Sequence, residues 1–233
     1  MTATILGPLP DGVVSAVSTA ANWLVLLCVA PLCWATWRYP YDDPRRAHPS
    51  PVTWGIWFLV GMVATVGLAL GGAPTSAWTI KLFLSLGPVI VAVVALWRGE
   101  RLLATRVDRW SLALGGAGLV AYVLAYFGVV GPADPYAAGL VAVGTAIAVD
   151  AIGAGPTWAA GWRYGAPMAE LVTFALALVS VVAVLCILPW PWTWLSATYL
   201  VFLGLQMVSI IAVDAVGRHR AQLRQSDVER ISG

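Results

Sequence analysis

Seven stretches of this chain run apolar for about twenty residues each, and that repetition constrains the fold more than any other feature. They cover roughly 17–37, 51–71, 76–97, 109–130, 136–160, 167–188 and 194–216. About 20 apolar residues carry a helix across the hydrocarbon core, because in lipid every backbone donor and acceptor must be satisfied inside the segment. Charged residues make up only 10% of the 233, where a soluble domain carries roughly a quarter. No water-facing shell can cover these blocks, and the connections are too short to fold as soluble domains. The expected fold class is an all-α membrane protein with seven transmembrane helices. The first residues show neither the basic flank nor the small-residue cleavage site of a secretory signal, so the first span is expected to be retained.

The basic residues alternate sides. Arg38, Arg45 and Arg46 lie between spans 1 and 2, and Arg98, Arg101, Arg106 and Arg109 between spans 3 and 4. Arg163 follows span 5, and Arg218, Arg220, Arg224 and Arg230 follow span 7. The other loops and the first 20 residues hold no Arg or Lys. The positive-inside rule therefore puts the N-terminus outside and the C-terminus in the cytoplasm. Arginine strongly preferred over lysine in an Ala- and Gly-rich chain points to a bacterial plasma membrane. Cys28, Cys33 and Cys186 all fall within spans, where they read as small packing residues. His48 and His219 fall outside the spans, which leaves no intramembrane bis-histidine haem or ordinary zinc cage. No metal or cofactor is expected. Many of the tryptophans stand at span edges, as an interfacial belt requires.

The chain also repeats itself. Span 1 ends in PLCWATWR, Pro31 to Arg38, and span 5 in PTWAAGWR, Pro156 to Arg163. Each is followed by a short polar connection and a helix opened by proline, Pro51 for span 2 and Pro167 for span 6. Spans 3 and 7 begin near Trp78 and Trp194 and share Leu-Gly about ten residues in, at Leu86-Gly87 and Leu203-Gly204. The offset is about 120 residues throughout. Two parallel three-helix bundles joined by a linker helix follow. An odd crossing between two three-helix units returns the chain to its starting side, so both insert the same way. The expected division is 1–100 for the first bundle, 101–133 for linker helix 4, 134–218 for the second bundle and 219–233 for a cytoplasmic tail.

The 3+1+3 plan, the outside N-terminus and the paired prolines make the chain resemble the PQ-loop superfamily, which includes the SWEET sugar transporters. Nicotinamide riboside transporters of the Pnu type share that fold. The resemblance implies that prolines in helices 1, 2, 5 and 6 act as hinges near a cytoplasmic gate, here Pro31, Pro51, Pro156 and Pro167. Leu32 and Thr157 stand where the family has glutamine after proline. The asparagines that sugar transporters use in helices 3 and 7 have no counterpart.

Ionisable groups inside spans are costly and mark pathways or partners. Asp150 lies about 20 Å from the outer face at 1.5 Å per residue, near mid-bilayer, with Val25 as its equivalent in the first repeat. It reads as a solute-binding or proton-accepting carboxylate, or as one tied to a hydroxyl such as Tyr122 or Tyr126. Lys81, the sole lysine, either snorkels to the outer headgroups or points down a cavity toward Asp150. The absence of a lysine from span 7 excludes a retinal photoreceptor. Glu170 suits the first turn of a helix, and Asp214 has Arg218 at i+4 spacing. Asn22 and Gln206 line a cavity or bond between helices, and Trp34, Trp57 and Trp158 are candidate cavity walls.

The function expected from this pattern is a transporter or facilitator of a small polar solute, working by alternating access between two three-helix repeats. Asp150, Lys81, Asn22, Trp34, Trp57 and Trp158 would contact the solute. The alternative is a non-transporting integral membrane subunit or scaffold, whose partners would be further copies of the chain or another membrane protein. No enzyme motif is found; the glycines of GGAGLVAYVLAYFG follow no strand and make no phosphate loop. The expected partners are thus the lipid bilayer and a solute, without nucleic acid.

Overall fold

The protein is described here by a computed structural model covering residues 1–38, 50–103, 105–125, 134–165 and 168–232. A helix that crosses lipid keeps its hydrogen bonds to itself, and the chain is accordingly helical almost throughout. It opens with a small antiparallel hairpin, β1 (Thr2–Thr4) and β2 (Gly7–Leu9), in which Thr2 faces Leu9. Eight helical segments follow: α1 (Asp11–Trp37), α2 (Pro51–Leu70), α3 (Thr75–Trp97), α4 (Arg106–Ala125), α5 (Pro135–Gly153), α6 (Gly155–Tyr164), α7 (Met168–Ile187) and α8 (Trp194–Ser232). The hairpin is tied to the connection before α8, where the Trp190 N–H donates to the Ala3 carbonyl at 2.8 Å.

Among the described residues, six helices are long and apolar enough to cross a membrane, with α5 and α6 counted as one rod, Pro135–Tyr164. These match expected spans 1, 2, 3, 5, 6 and 7. Of the fourth span, expected at 109–130, the described residues hold α4 as far as Ala125. It lies against α5, α2 and α6. The largest boundary difference is α8, which runs on to Ser232 through the stretch expected as a tail. Arginine, leucine, alanine and glutamine there are good helix formers, so nothing ends the helix where it leaves the apolar stretch.

The helix ends follow local chemistry. Pro51 occupies the first turn of α2, where its missing N–H costs nothing, and Ser50 caps that turn by accepting from the Thr53 N–H at 3.3 Å. Asp108 accepts from Ser50 Oγ (2.6 Å) and from the N–H and hydroxyl of Thr105 (2.8 and 2.7 Å). That carboxylate therefore ties the starts of α2 and α4 together. Pro31 and Pro88 lie inside α1 and α3. Pro156 sits just after Ala154, where α5 gives way to α6. A proline deprives the carbonyl four residues earlier of its partner. For Pro156 that carbonyl is Ile152, and Ser111 Oγ of α4 donates to it at 3.2 Å. Pro167 lies outside the described residues.

In packing, α3 lies between α1 and α2, and α8 lies between α7 and the α5–α6 rod. The two groups meet where α1 packs on α7 and α2 on α5. Glycine makes two of these approaches close. A Cβ on Gly139 of α5 would stand 2.7 Å from the Gly67 carbonyl of α2. At the arginine-bearing end, a Cβ on Gly217 of α8 would collide with the Gly161 carbonyl of α6. Over-packing of this kind typically costs about 1–3 kcal/mol, and here the obstacle is backbone. Gly217→Ala is therefore expected to lower the thermal unfolding midpoint in detergent clearly. Gly144→Ala, with nothing within 4 Å of its would-be Cβ, is the control, expected to hold or raise it. Equal behaviour of the two variants would refute the crossing.

Candidate functional site

Asp150 sits 15 residues into α5, about 22 Å along its axis at 1.5 Å per residue, and is 2% exposed. A carboxylate so placed must find donors from neighbouring helices. Tyr199 of α8 donates its hydroxyl to Asp150 Oδ2 at 2.8 Å, and Gln206 Nε2 reaches Oδ1 at 3.2 Å. Lys81 of α3 places Nζ 3.8 Å from Oδ2 and 4.8 Å from the centre of the Tyr199 ring. It is 4% exposed, so its stem points inward to Asp150 and not to the headgroups. The Asp150 carbonyl is held as well, accepting from Gln206 Nε2 at 3.1 Å and Trp57 Nε1 at 3.3 Å. Four helices, α2, α3, α5 and α8, thus converge on one residue.

Trp57, Lys81, Asp150 and Gln206 border a cavity of about 80 Å³ lined also by α1 and α7. One water needs roughly 10–15 Å³ on this scale, so the space takes a few waters or a solute of few atoms. Its walls are mainly apolar. Trp54, Trp57 and Phe174 form an aromatic corner in which Trp54 and Phe174 stack at 6.2 Å and Trp57 stands edge-on to both. Val25 and Cys28 of α1 and Pro88 of α3 complete it. An ammonium carries three donors, so the single carboxylate oxygen beside Lys81 leaves donor capacity for an occupant.

Of the residues expected here, Asp150, Lys81 and Trp57 come together. The other three do not. Trp34 is 59% exposed beneath the Arg38 guanidinium at 4.3 Å. It lies two residues past the buried Leu32, about 200° round the helix, and so faces outward. Trp158 is eight residues beyond Asp150, about 12 Å further along the rod, and lines a separate groove at the arginine-bearing end. Asn22 bonds across to Thr79 Oγ1 at 3.4 Å and does not line the cavity. The hydroxyl on Asp150 belongs to Tyr199 rather than to Tyr122, and Tyr126 lies outside the described residues. Tyr199, Leu203, Gln206 and Ile210 follow helical spacing along one buried stripe, a pattern readable in the sequence that would have found both α8 partners.

A second polar cluster lies toward the arginine-bearing end. Asp214 of α8 is buried against Gly161, and neither carboxylate oxygen accepts a hydrogen bond among the described residues. Glu170 of α7 and Arg218 of α8 are near enough for their charges to interact with it. Among the described residues, no cluster of three His, Cys, Asp or Glu side chains suits a metal ion. The three cysteines are free thiols. His48, Arg45 and Arg46 lie outside the described residues.

Near the ends of α1 and α6, Trp37 and Trp162 each lie under a guanidinium from another helix. Arg98 stands 5.3 Å from the Trp37 ring centre, and Arg220 stands 3.8 Å from that of Trp162. No family profile, curated protein or solved structure matches the chain.

Breaking a buried ion pair by removing one partner costs about 3–5 kcal/mol, since the other charge is left uncompensated. Asp150→Asn is therefore expected to destabilise strongly, and adding Lys81→Met to the same chain should recover much of the loss. Unfolding midpoints for both single variants and the double in one detergent test this. Strictly additive losses would show that the two charges are not coupled.

Proposed function

We propose that the chain is a transporter or facilitator of a small polar solute, working by alternating access between two parallel three-helix units joined by α4. On this reading α1, α2 and α3 form one unit, and α5–α6, α7 and α8 the other. The plan is that of the PQ-loop and SWEET-like proteins. The observation that carries the reading is the buried Lys81–Asp150 pair with Tyr199 and Gln206. Its members come from both proposed units, and Lys81, Asp150 and Gln206 border a cavity on the seam between them. Buried charge pairs often stabilise no better than apolar packing of the same volume, and membrane segments keep them mainly where solutes or ions pass.

Several features support the duplicated plan. The third helix of each unit packs between the other two, and the seam pairs α1 with α7 and α2 with α5, an arrangement that exchanges into itself when the units are swapped. Val25, offset from Asp150 by the repeat, lines the same cavity. Each WR tryptophan is covered by an arginine of its own unit, Arg98 just past the end of α3 and Arg220 on α8. Pro31 and Pro156 serve as bends near the arginine-bearing end, and Pro88 adds a third beside the cavity.

Two measurements test this function. In proteoliposomes, a panel of small polar solutes is screened for flux, and Asp150→Asn is expected to reduce the transported solute's flux at least tenfold. Undiminished flux would remove Asp150 from the pathway. The second measurement uses Cys28 as a reporter in a chain carrying Cys33→Ser and Cys186→Ser. A small membrane-impermeant thiol reagent should modify Cys28, and the transported solute should slow that modification. Complete protection from reagent on both sides of the membrane, with no solute effect, would argue for the non-transporting subunit.

A further inference from the structure

At the arginine-bearing end, between α6 and α8, lies an open groove of about 390 Å³, separate from the central cavity. Its walls are Trp158, Ala159, Trp162 and Arg163 of α6 and Val213 of α8. The Trp158 indole N–H is buried and meets no acceptor among the described residues. Arg220 lies over Trp162 at 3.8 Å from the ring centre, so two exposed guanidinium residues, Arg163 and Arg220, stand at the same rim. The nearby carboxylate of α8, Asp214, is turned in against Gly161 and does not line the groove.

An open groove with aromatic and aliphatic walls and two guanidinium groups beside it suits a molecule that joins acyl chains to an anionic headgroup. Guanidinium groups take phosphate oxygens in a paired geometry, and an indole N–H can donate only, so its missing partner must be an acceptor. We infer that this groove binds one anionic phospholipid. The phosphate engages Arg163 and Arg220, a headgroup or ester oxygen accepts from the Trp158 N–H, and an acyl chain lies along Trp162 and Val213. This site is independent of the central cavity and of any transport activity.

The test uses the full chain purified in detergent and titrated with phosphatidylglycerol or with phosphatidylcholine of the same acyl chains, read by native mass spectrometry. One phosphatidylglycerol is expected to be retained at least tenfold more tightly than phosphatidylcholine. Arg163→Ala combined with Arg220→Ala should abolish that preference, and Trp158→Phe should weaken phosphatidylglycerol several-fold while keeping an aromatic wall. Thermal unfolding confirms that each variant is folded. Should the double variant unfold, the two single arginine variants decide, each expected to lose about threefold or more. Equal retention of the two lipids, or a preference that survives arginine removal in a folded chain, overturns the inference. Competition by glycerol phosphate as strong as by phosphatidylglycerol also overturns it, since the ligand would then be a soluble phosphate.

Discussion

A carboxylate and an ammonium buried 3.8 Å apart inside an apolar bundle are the interaction on which the rest of this structure turns. Both are shut off from bulk water, so each depends on the other and on fixed dipoles. That requirement sets the positions of four helices. Tyr199 and Gln206 of α8 must face α5, Trp57 of α2 must reach the Asp150 carbonyl, and α3 must aim its only lysine inward. Helix faces without such ties are free to present leucine and valine to lipid, as Leu27, Val66, Val182 and Leu205 do. Polar specificity in the middle and apolar tolerance outside follow from one dielectric boundary.

The backbone obeys the same boundary. A proline in a membrane helix frees a carbonyl that lipid cannot satisfy. At Pro156 the debt falls on Ile152, and Ser111 of α4 meets it. This gives α4 a definite place against the α5–α6 break. At the opposite extreme of polarity, Asp108 gathers Ser50 and Thr105 into a knot where α2 and α4 begin. The connections are thus set by a few short-range bonds, and the spans by hydropathy.

Much of the fold was legible because hydropathy reports on environment directly: of seven expected runs of about twenty apolar residues, six match rods long and apolar enough to cross a membrane among the described residues. Asp150 was legible for the converse reason, as a charge that lipid would not tolerate unpaired, whereas Lys81 could equally have snorkelled to the headgroups. What sequence spacing does not give is rotation about a helix axis when every face is apolar. Trp34 and Trp158 illustrate this: an indole serves equally well against lipid and against a cavity, so its residue type says nothing of its direction. Tyr199 shows the opposite case, a hydroxyl whose partner had to be across a helix interface, legible only once its stripe with Gln206 is drawn on the helix. The course of α8 past the expected span end was hidden because polar helix formers continue a helix outside lipid as readily as they begin a tail.

The ties on α5–α6 bear on how any rocking motion would run. Above the Ala154 break, Asp150 is bonded to Tyr199 and Gln206; below it, Gly161 is pressed against Gly217. Both anchors lie on α8, so bending at Pro156 alone would strain one contact or the other. If the units move, α5–α6 and α8 therefore move together, and the compliant surfaces are the seams of α1 with α7 and α2 with α5. The second seam is itself pinned away from the arginines by the close approach of Gly67 and Gly139. On the proposed alternating-access reading, a body pinned at that end would open at the other, toward the arginine-bearing side. There Trp54, Trp57 and Phe174 bridge α2 and α7 through ring contacts alone. Ring contacts are non-directional beside hydrogen bonds, and so they are the part of the closed cavity that can separate while the charge pair stays intact.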